Sequence, residues 1–142
     1  MKIARFFMLF ATASLLVFAT GCSSSEVEVL ECEGDCSCDE DERSCSCPGG
    51  TDCVIDGAED ITFYCDGNAG CDLACGAGCH VVCPGTTTCE AILGHQGSAE
   101  CKGTASCEYT CEGDCTIDCG SNSTCTVNCH EDCEQDGDDC IC

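Results

Sequence analysis

Through most of this chain apolar and polar positions alternate, and cysteine marks the apolar phase. Around Cys107 the order is Cys107-Glu-Tyr-Thr-Cys111, then Glu112-Gly113-Asp114, then Cys115-Thr-Ile-Asp-Cys119, then Gly120 to Thr124. Two pieces share the form Cys-x-Φ-x-Cys, with Φ an apolar residue, and connectors of three and five residues separate them. Period two predicts short β-strands with the cysteines and Φ on one face. The Φ places are Ile55, Leu73, Ala91, Tyr109 and Val127 in one strand and Phe63, Val81, Ala99 and Ile117 in the other, with polar Gln135 the exception near the end. Residues of the opposite phase, among them Asp72, Glu90, Glu108, Thr116, Asp118 and Asn128, are polar.

Written at a period of 18, the cysteines fall into columns. Cys53, Cys71, Cys89, Cys107 and Cys125 share one phase, and Cys47, Cys65, Cys83, Cys101 and Cys119 another. A fixed repeat of this length is the mark of a solenoid, whose coils bury their inner faces by stacking on one another. A meander of antiparallel hairpins also suits such short connectors. It would leave a face of Cys and Val wet, which a coil closes over. The expected fold is an all-β, disulfide-rich, two-sided β-solenoid with coils of about 18 residues over residues 30–142.

The repeats argue for their own cross-links. Where the cysteines flanking the short connector are missing, both are missing together: Leu93 with Gly97, and Gly57 with Ile61. Paired loss is what a direct bond across the connector produces. That logic joins Cys75 to Cys79, Cys111 to Cys115 and Cys129 to Cys133. Across the longer connector it joins Cys47 to Cys53, Cys65 to Cys71, Cys83 to Cys89, Cys101 to Cys107 and Cys119 to Cys125. Near the start, Cys32-Glu-Gly-Asp-Cys36 repeats the pentapeptide Cys111-Glu-Gly-Asp-Cys115, which predicts the same connector and bond, with Leu30 in the Φ place. Asp39 to Ser44 then reads as a charged loop pushed out of the coil and closed by Cys38–Cys45. Cys140 and Cys142 pair by elimination.

Composition shows why the cross-links matter. After Gly21 there are 15 Leu, Ile, Val and Phe residues among 121, and no Trp. All 27 acidic residues lie there too, against Arg43 and Lys102 alone. Few large apolar residues with a high net charge ordinarily mean disorder. With 23 cysteines the chain reads instead as a scaffold stapled in an oxidising compartment. The negative charge makes nucleic acid and anionic head groups poor partners.

The N-terminus agrees with export. Lys2 and Arg5 precede an apolar stretch from Phe6 to Phe18 and the small residues Ala19-Thr20-Gly21, a secretory signal over residues 1–21 too short to span a bilayer. Ala19-Thr20-Gly21-Cys22 resembles the lipobox of bacterial lipoproteins, although that family prefers Leu where Ala19 stands. The resemblance implies that Cys22 is acylated and that residues 22–29 tether the domain. Removing Cys22 from 23 leaves an even number of cysteines, as a fully bonded chain requires.

Cys-x-Φ-x-Cys pieces behind a lipobox are similar to the cysteine-rich repeat lipoproteins of myxobacteria and related bacteria, over roughly Cys32 to Cys142. This implies an envelope location, in the outer membrane, and no particular activity. The stacking also resembles the disulfide-rich β-helical antifreeze proteins of insects, but their Thr-x-Thr ladders are absent. Thr88, Ser106 and Thr124 are the one aligned hydroxyl column.

Other chemistries find less material. Cys36-x-Cys38, Cys45-x-Cys47 and Cys140-x-Cys142 would suit soft-metal thiolate clusters if reduced. Glu112-Gly113-Asp114, Glu131-Asp132 and Asp136-Gly137-Asp138-Asp139 offer hard oxygen ligands for calcium but match no EF-hand or calcium β-roll. His80, His95 and His130 fall in different repeat phases with no nucleophile motif beside them. The expectation is a lipid-anchored envelope structural or interaction protein, bound to the membrane through its lipid, without cofactor or catalytic residues; its protein or glycan partner stays open. The alternative is an envelope metal-binding protein.

Overall fold

The computed structural model describes residues 31–39, 41–57 and 59–142. The expected signal peptide, Cys22, the tether and Leu30 lie outside the described residues. Among the described residues fourteen strands are formed: β1 (Glu31–Gly34), β2 (Ser37–Asp39), β3 (Ser44–Cys47), β4 (Asp52–Asp56), β5 (Thr62–Cys65), β6 (Gly70–Cys75), β7 (His80–Cys83), β8 (Thr88–Leu93), β9 (Ser98–Cys101), β10 (Ser106–Cys111), β11 (Thr116–Cys119), β12 (Thr124–Cys129), β13 (Glu134–Asp136) and β14 (Asp139–Ile141). From β3 to β12 the chain alternates between two sheets, ordered β1-β4-β6-β8-β10-β12 and β11-β9-β7-β5-β3-β2. The pairings within this run are parallel. The protein is therefore a two-sided β-solenoid of five coils.

Register follows the period of 18. Cys53, Cys71, Cys89, Cys107 and Cys125 stack in one column, and Ile55, Leu73, Ala91, Tyr109 and Val127 in the next. Opposite them, Cys45, Phe63, Val81, Ala99 and Ile117 stack on the second sheet. A one-residue slip would turn every cysteine outward, so burial of a single face holds the register. The core is these columns, and Ile55, Phe63, Leu73, Val81, Leu93 and Tyr109 are all within it at 2% exposure or less.

The long connectors stack as well. Gly67, Gly85 and Gly103, one per coil, adopt left-handed φ of 67°, 77° and 77°. A Cβ on Gly85 would come within 2.9 Å of the Gly67 carbonyl oxygen, so both conformation and space call for glycine there. Ala69, Thr87 and Ala105 fill the space beneath. Ladder bonds such as Thr88 N–H to Ala69 O (3.0 Å) and Ser106 N–H to Thr87 O (2.9 Å) satisfy the connector backbone.

Both ends reverse the chain. β1 pairs with β4 antiparallel and β2 with β3 antiparallel, so the N-terminal unit is a turned-back cap where an inserted loop in a continuing coil was expected. Its hairpin turn is held by Asp39, whose Oδ1 accepts from the amides of Asp41 (3.0 Å) and Glu42 (3.1 Å). At the other end β13 and β14 form an antiparallel hairpin in place of a sixth coil. Gln135, in the Φ place, cannot turn inward without burying an amide, and β13 is exposed along its length.

Cross-links join Cys32–Cys36, Cys38–Cys45, Cys47–Cys53, Cys65–Cys71, Cys75–Cys79, Cys83–Cys89, Cys101–Cys107 and Cys119–Cys125, the pairs the repeat arithmetic suggested. The C-terminal scheme needs correction. Cys129 is bonded to Cys140 and Cys133 to Cys142, replacing the expected Cys129–Cys133 and Cys140–Cys142. Cys111 and Cys115 are free thiols, not the expected bond. The hairpin explains the exchange: by folding back it brings Cys140 to the place above Cys115 that Cys133 would have taken.

Candidate functional site: four sulfurs under the C-terminal hairpin

The departure from the repeat gathers four cysteines. Parallel pairing of β10 with β12 sets Cys129 on Cys111. An isolated antiparallel bridge sets Cys140 on Cys115, with Cys115 N–H donating to Cys140 O (3.0 Å) and Cys140 N–H to Cys115 O (3.2 Å). Across the coil, Cys129–Cys140 is closed and Cys111/Cys115 is open. Cys111, Cys115 and Cys140 are buried and Cys129 is half-buried.

The open pair lies in a connector that has left its column. Asp60, Gly78 and Gln96, one coil apart, all have positive φ, and Asp114 at the next place does not. Asp60 N–H donates to Ala77 O and Gly78 N–H to His95 O, each to the connector above. The connector 112–114 is tied to the hairpin instead: the Asp114 carboxylate accepts from Cys142 N–H (2.7 Å), and Asp139 accepts from Ile117 N–H (2.9 Å). Two of the carboxylates considered for calcium are thus engaged on backbone amides.

The two thiols differ electrostatically. A hydrogen bond with Cys111 holds the Cys115 thiol below its ordinary range, the Gly113 backbone adds to this, and burial and Asp114 oppose it. Cys111, protonated in that bond, is pushed up by the same hydrogen bond, by burial and by Cys115 and Asp139 charge. Cys115 is therefore the side of the pair that gives a thiolate, the nucleophilic form of the residue. Beside it is an open cleft of about 430 Å³ whose walls include Gln96, Asp114, Cys115, Asp139, Cys140 and Ile141. Cys115, a thiol, and Cys140, half of a disulfide, thus both line one open cleft while remaining largely buried themselves, a pairing suited to thiol–disulfide exchange.

Elsewhere the sequence-level candidates are spread out. Cys36, Cys38, Cys45, Cys47, Cys140 and Cys142 are all in disulfides, which leaves those Cys-x-Cys pairs no thiolate for a soft metal. Among the described residues, one trio of metal-type atoms lies within 4.8 Å, the Cys65, Cys83 and Cys89 sulfurs, and these are stacked disulfides.

Register does assemble one group that a search of histidine phases alone misses. His80 and Ser98 are 18 residues apart, and His80 Nδ1 is 2.8 Å from Ser98 Oγ. His80 Nε2 is 3.9 Å from Glu100. The parts are those of a hydrolytic triad, but the bonding is not. Ser98 Oγ also lies within donating reach of Cys79 O (3.4 Å), a second acceptor that competes with the imidazole for its proton. Glu100 is held by Lys102, whose hydrogen bond keeps its carboxyl below the usual range. This is a polar chain on the outer face of the second sheet.

No family model matches the chain, and neither a curated protein nor a solved structure matches it.

Proposed function

We propose that the protein is a lipid-anchored, disulfide-stapled structural or interaction element of a bacterial cell envelope, in the outer membrane, and that it works without catalysis. The observation that carries this reading is the form of the rod. Its staples recur from coil to coil, and its outer face carries acidic and hydroxyl residues such as Asp72, Glu90, Glu108 and Thr126 on the first sheet, with Val54, Tyr64 and Ile92 also exposed on the rod. A rigid acidic rod on a short tether suits the display of an extended face better than the enclosure of a small molecule. The lipobox at Ala19-Thr20-Gly21-Cys22 supports the anchor.

Expression in a bacterial host tests the anchor. The native protein should partition with membranes and carry the mass of a diacylglyceryl group on Cys22. Cys22→Ser should abolish both the lipid and normal processing. Equal membrane association and equal processing of the two proteins would end this reading.

A further inference from the structure

We propose that Cys111, Cys115, Cys129 and Cys140 form a thiol–disulfide exchange site, in which one disulfide moves between the last full coil and the C-terminal hairpin. The reading rests on the described geometry and not on the anchor.

Three observations carry it. Register stacks the open pair directly on the closed one, Cys111 on Cys129 and Cys115 on Cys140. The open pair can be bonded across its connector: the same pentapeptide, Cys32-Glu-Gly-Asp-Cys36, is closed at the other end of the rod, and Cys75–Cys79 is closed at equal spacing with Cα atoms 6.1 Å apart. Cys115 and Cys140, the two residues that would react first, both line the cleft.

The exchange balances within the four residues. Cys115 gives its proton to solvent, and its thiolate attacks Cys140 Sγ. A Cys115–Cys140 bond forms, the Cys129–Cys140 bond breaks, and Cys129 leaves as a thiolate that takes up a proton. Cys111 then loses its proton and attacks Cys115 Sγ. Cys111–Cys115 forms, and Cys140 leaves as a thiolate and is protonated in turn. Two thiols and one disulfide stand on each side, two electrons have moved, and no outside oxidant is consumed. The product has an ordinary short-connector staple in the coil and a hairpin no longer bonded to β12. The end of the rod, and the outer edge of β12, is then free to open.

Peptide mapping of the full-length protein, with thiols alkylated before and after reduction, tests this. Cleavage at acidic residues separates the four cysteines, since Glu112 and Asp114 fall between Cys111 and Cys115, and Glu131 and Asp132 between Cys129 and Cys140. Before any reductant is added, the two thiols should lie only within this set and be shared between the two pairs. Under graded dithiothreitol the next thiols should also come from this set, at a reductant level about 10-fold below that opening any other bond. In Cys111→Ala the relay can start but not finish, so Cys115–Cys140 should accumulate with Cys129 free. First opening at another bond, or thiols confined to one pair throughout, would overturn the proposal. So would a Cys111→Ala protein that keeps Cys129–Cys140 beside a free Cys115.

Discussion

Leu93 is where the repeat's arithmetic becomes packing. In two coils the short-connector disulfide is replaced by one large aliphatic side chain and one glycine, Leu93 with Gly97 and Ile61 with Gly57. Leu93 and Ile61 are buried at 0% and 2% exposure. A Cβ on Gly97 would come within 3.0 Å of the Leu93 Cβ and 3.6 Å of the Cys79 sulfur, so the glycine makes room for the leucine. A buried aliphatic side chain thus stands where the cross-link is lost. Leu93→Ala should therefore cost about 2–5 kcal/mol in denaturant unfolding. The double change Leu93→Cys, Gly97→Cys should stay folded and form a bond. Tyr109 makes the opposite point. It is fully buried, and its hydroxyl has no hydrogen-bond partner. Tyr109→Phe should raise stability by about 1 kcal/mol. Burial also holds the phenol above its ordinary range, because the charged form would be desolvated. The fold keeps this proton where the unfolded chain releases it. The contribution is thus complete below about pH 10 and is lost as pH rises further. Short-time urea unfolding should show a steeper alkaline loss for the native protein than for Tyr109→Phe.

At the scale of strands and coils, the five parallel coils were legible because burial of one face leaves a period-two mark and stacking leaves a period of 18. The reversals at the ends were not. Cys-x-Φ-x-Cys reads the same in both directions, so the pattern places residues inward or outward without saying which way the strand runs. That is why Cys32–Cys36 could be paired while β1 and β2 were placed in the wrong sense. At the C-terminus the signal was present in Gln135 and Gly137, a polar Φ and a missing column cysteine, but the hairpin they imply brings Cys140 to Cys115 only in three dimensions. The four-sulfur site was hidden for the same reason. Outer columns carry their own consequence: Asp72, Glu90 and Glu108 are neighbours in register on adjacent strands, about 4.8 Å apart. Like charges so placed destabilise the sheet. Glu90→Gln, the middle of the three, should stabilise by about 0.5 kcal/mol at low salt. The gain should shrink as salt screens the ladder. An unchanged midpoint at low ionic strength would show that the column does not repel.

For the whole molecule the question is what keeps an acidic chain of net charge −23 folded at all. Self-repulsion favours expansion, and the apolar core is thin: the Φ column of each sheet, with Ile61, Leu93, Ala69 and Ala105 beside it. Each short loop closed by a disulfide contributes about 2 kcal/mol by limiting the unfolded chain. Such closures occur in each of the five coils, at Cys47–Cys53, Cys65–Cys71, Cys83–Cys89, Cys101–Cys107 and Cys119–Cys125. Without them the composition is that of a disordered polymer. Full reduction with the thiols blocked by a small alkylating group should therefore abolish the β-sheet circular dichroism and expand the chain in size-exclusion chromatography. Because screening weakens only the repulsion, 0.5 M salt should not restore the fold. Partial reduction separates staples from core more finely. Opening the C-terminal set alone should leave the sheet signal nearly intact, because β3 to β10 keep their own cross-links and each coil rests on its neighbours. A blocked, fully reduced chain that kept its sheet signal would show that stacking alone holds the solenoid, with the disulfides secondary.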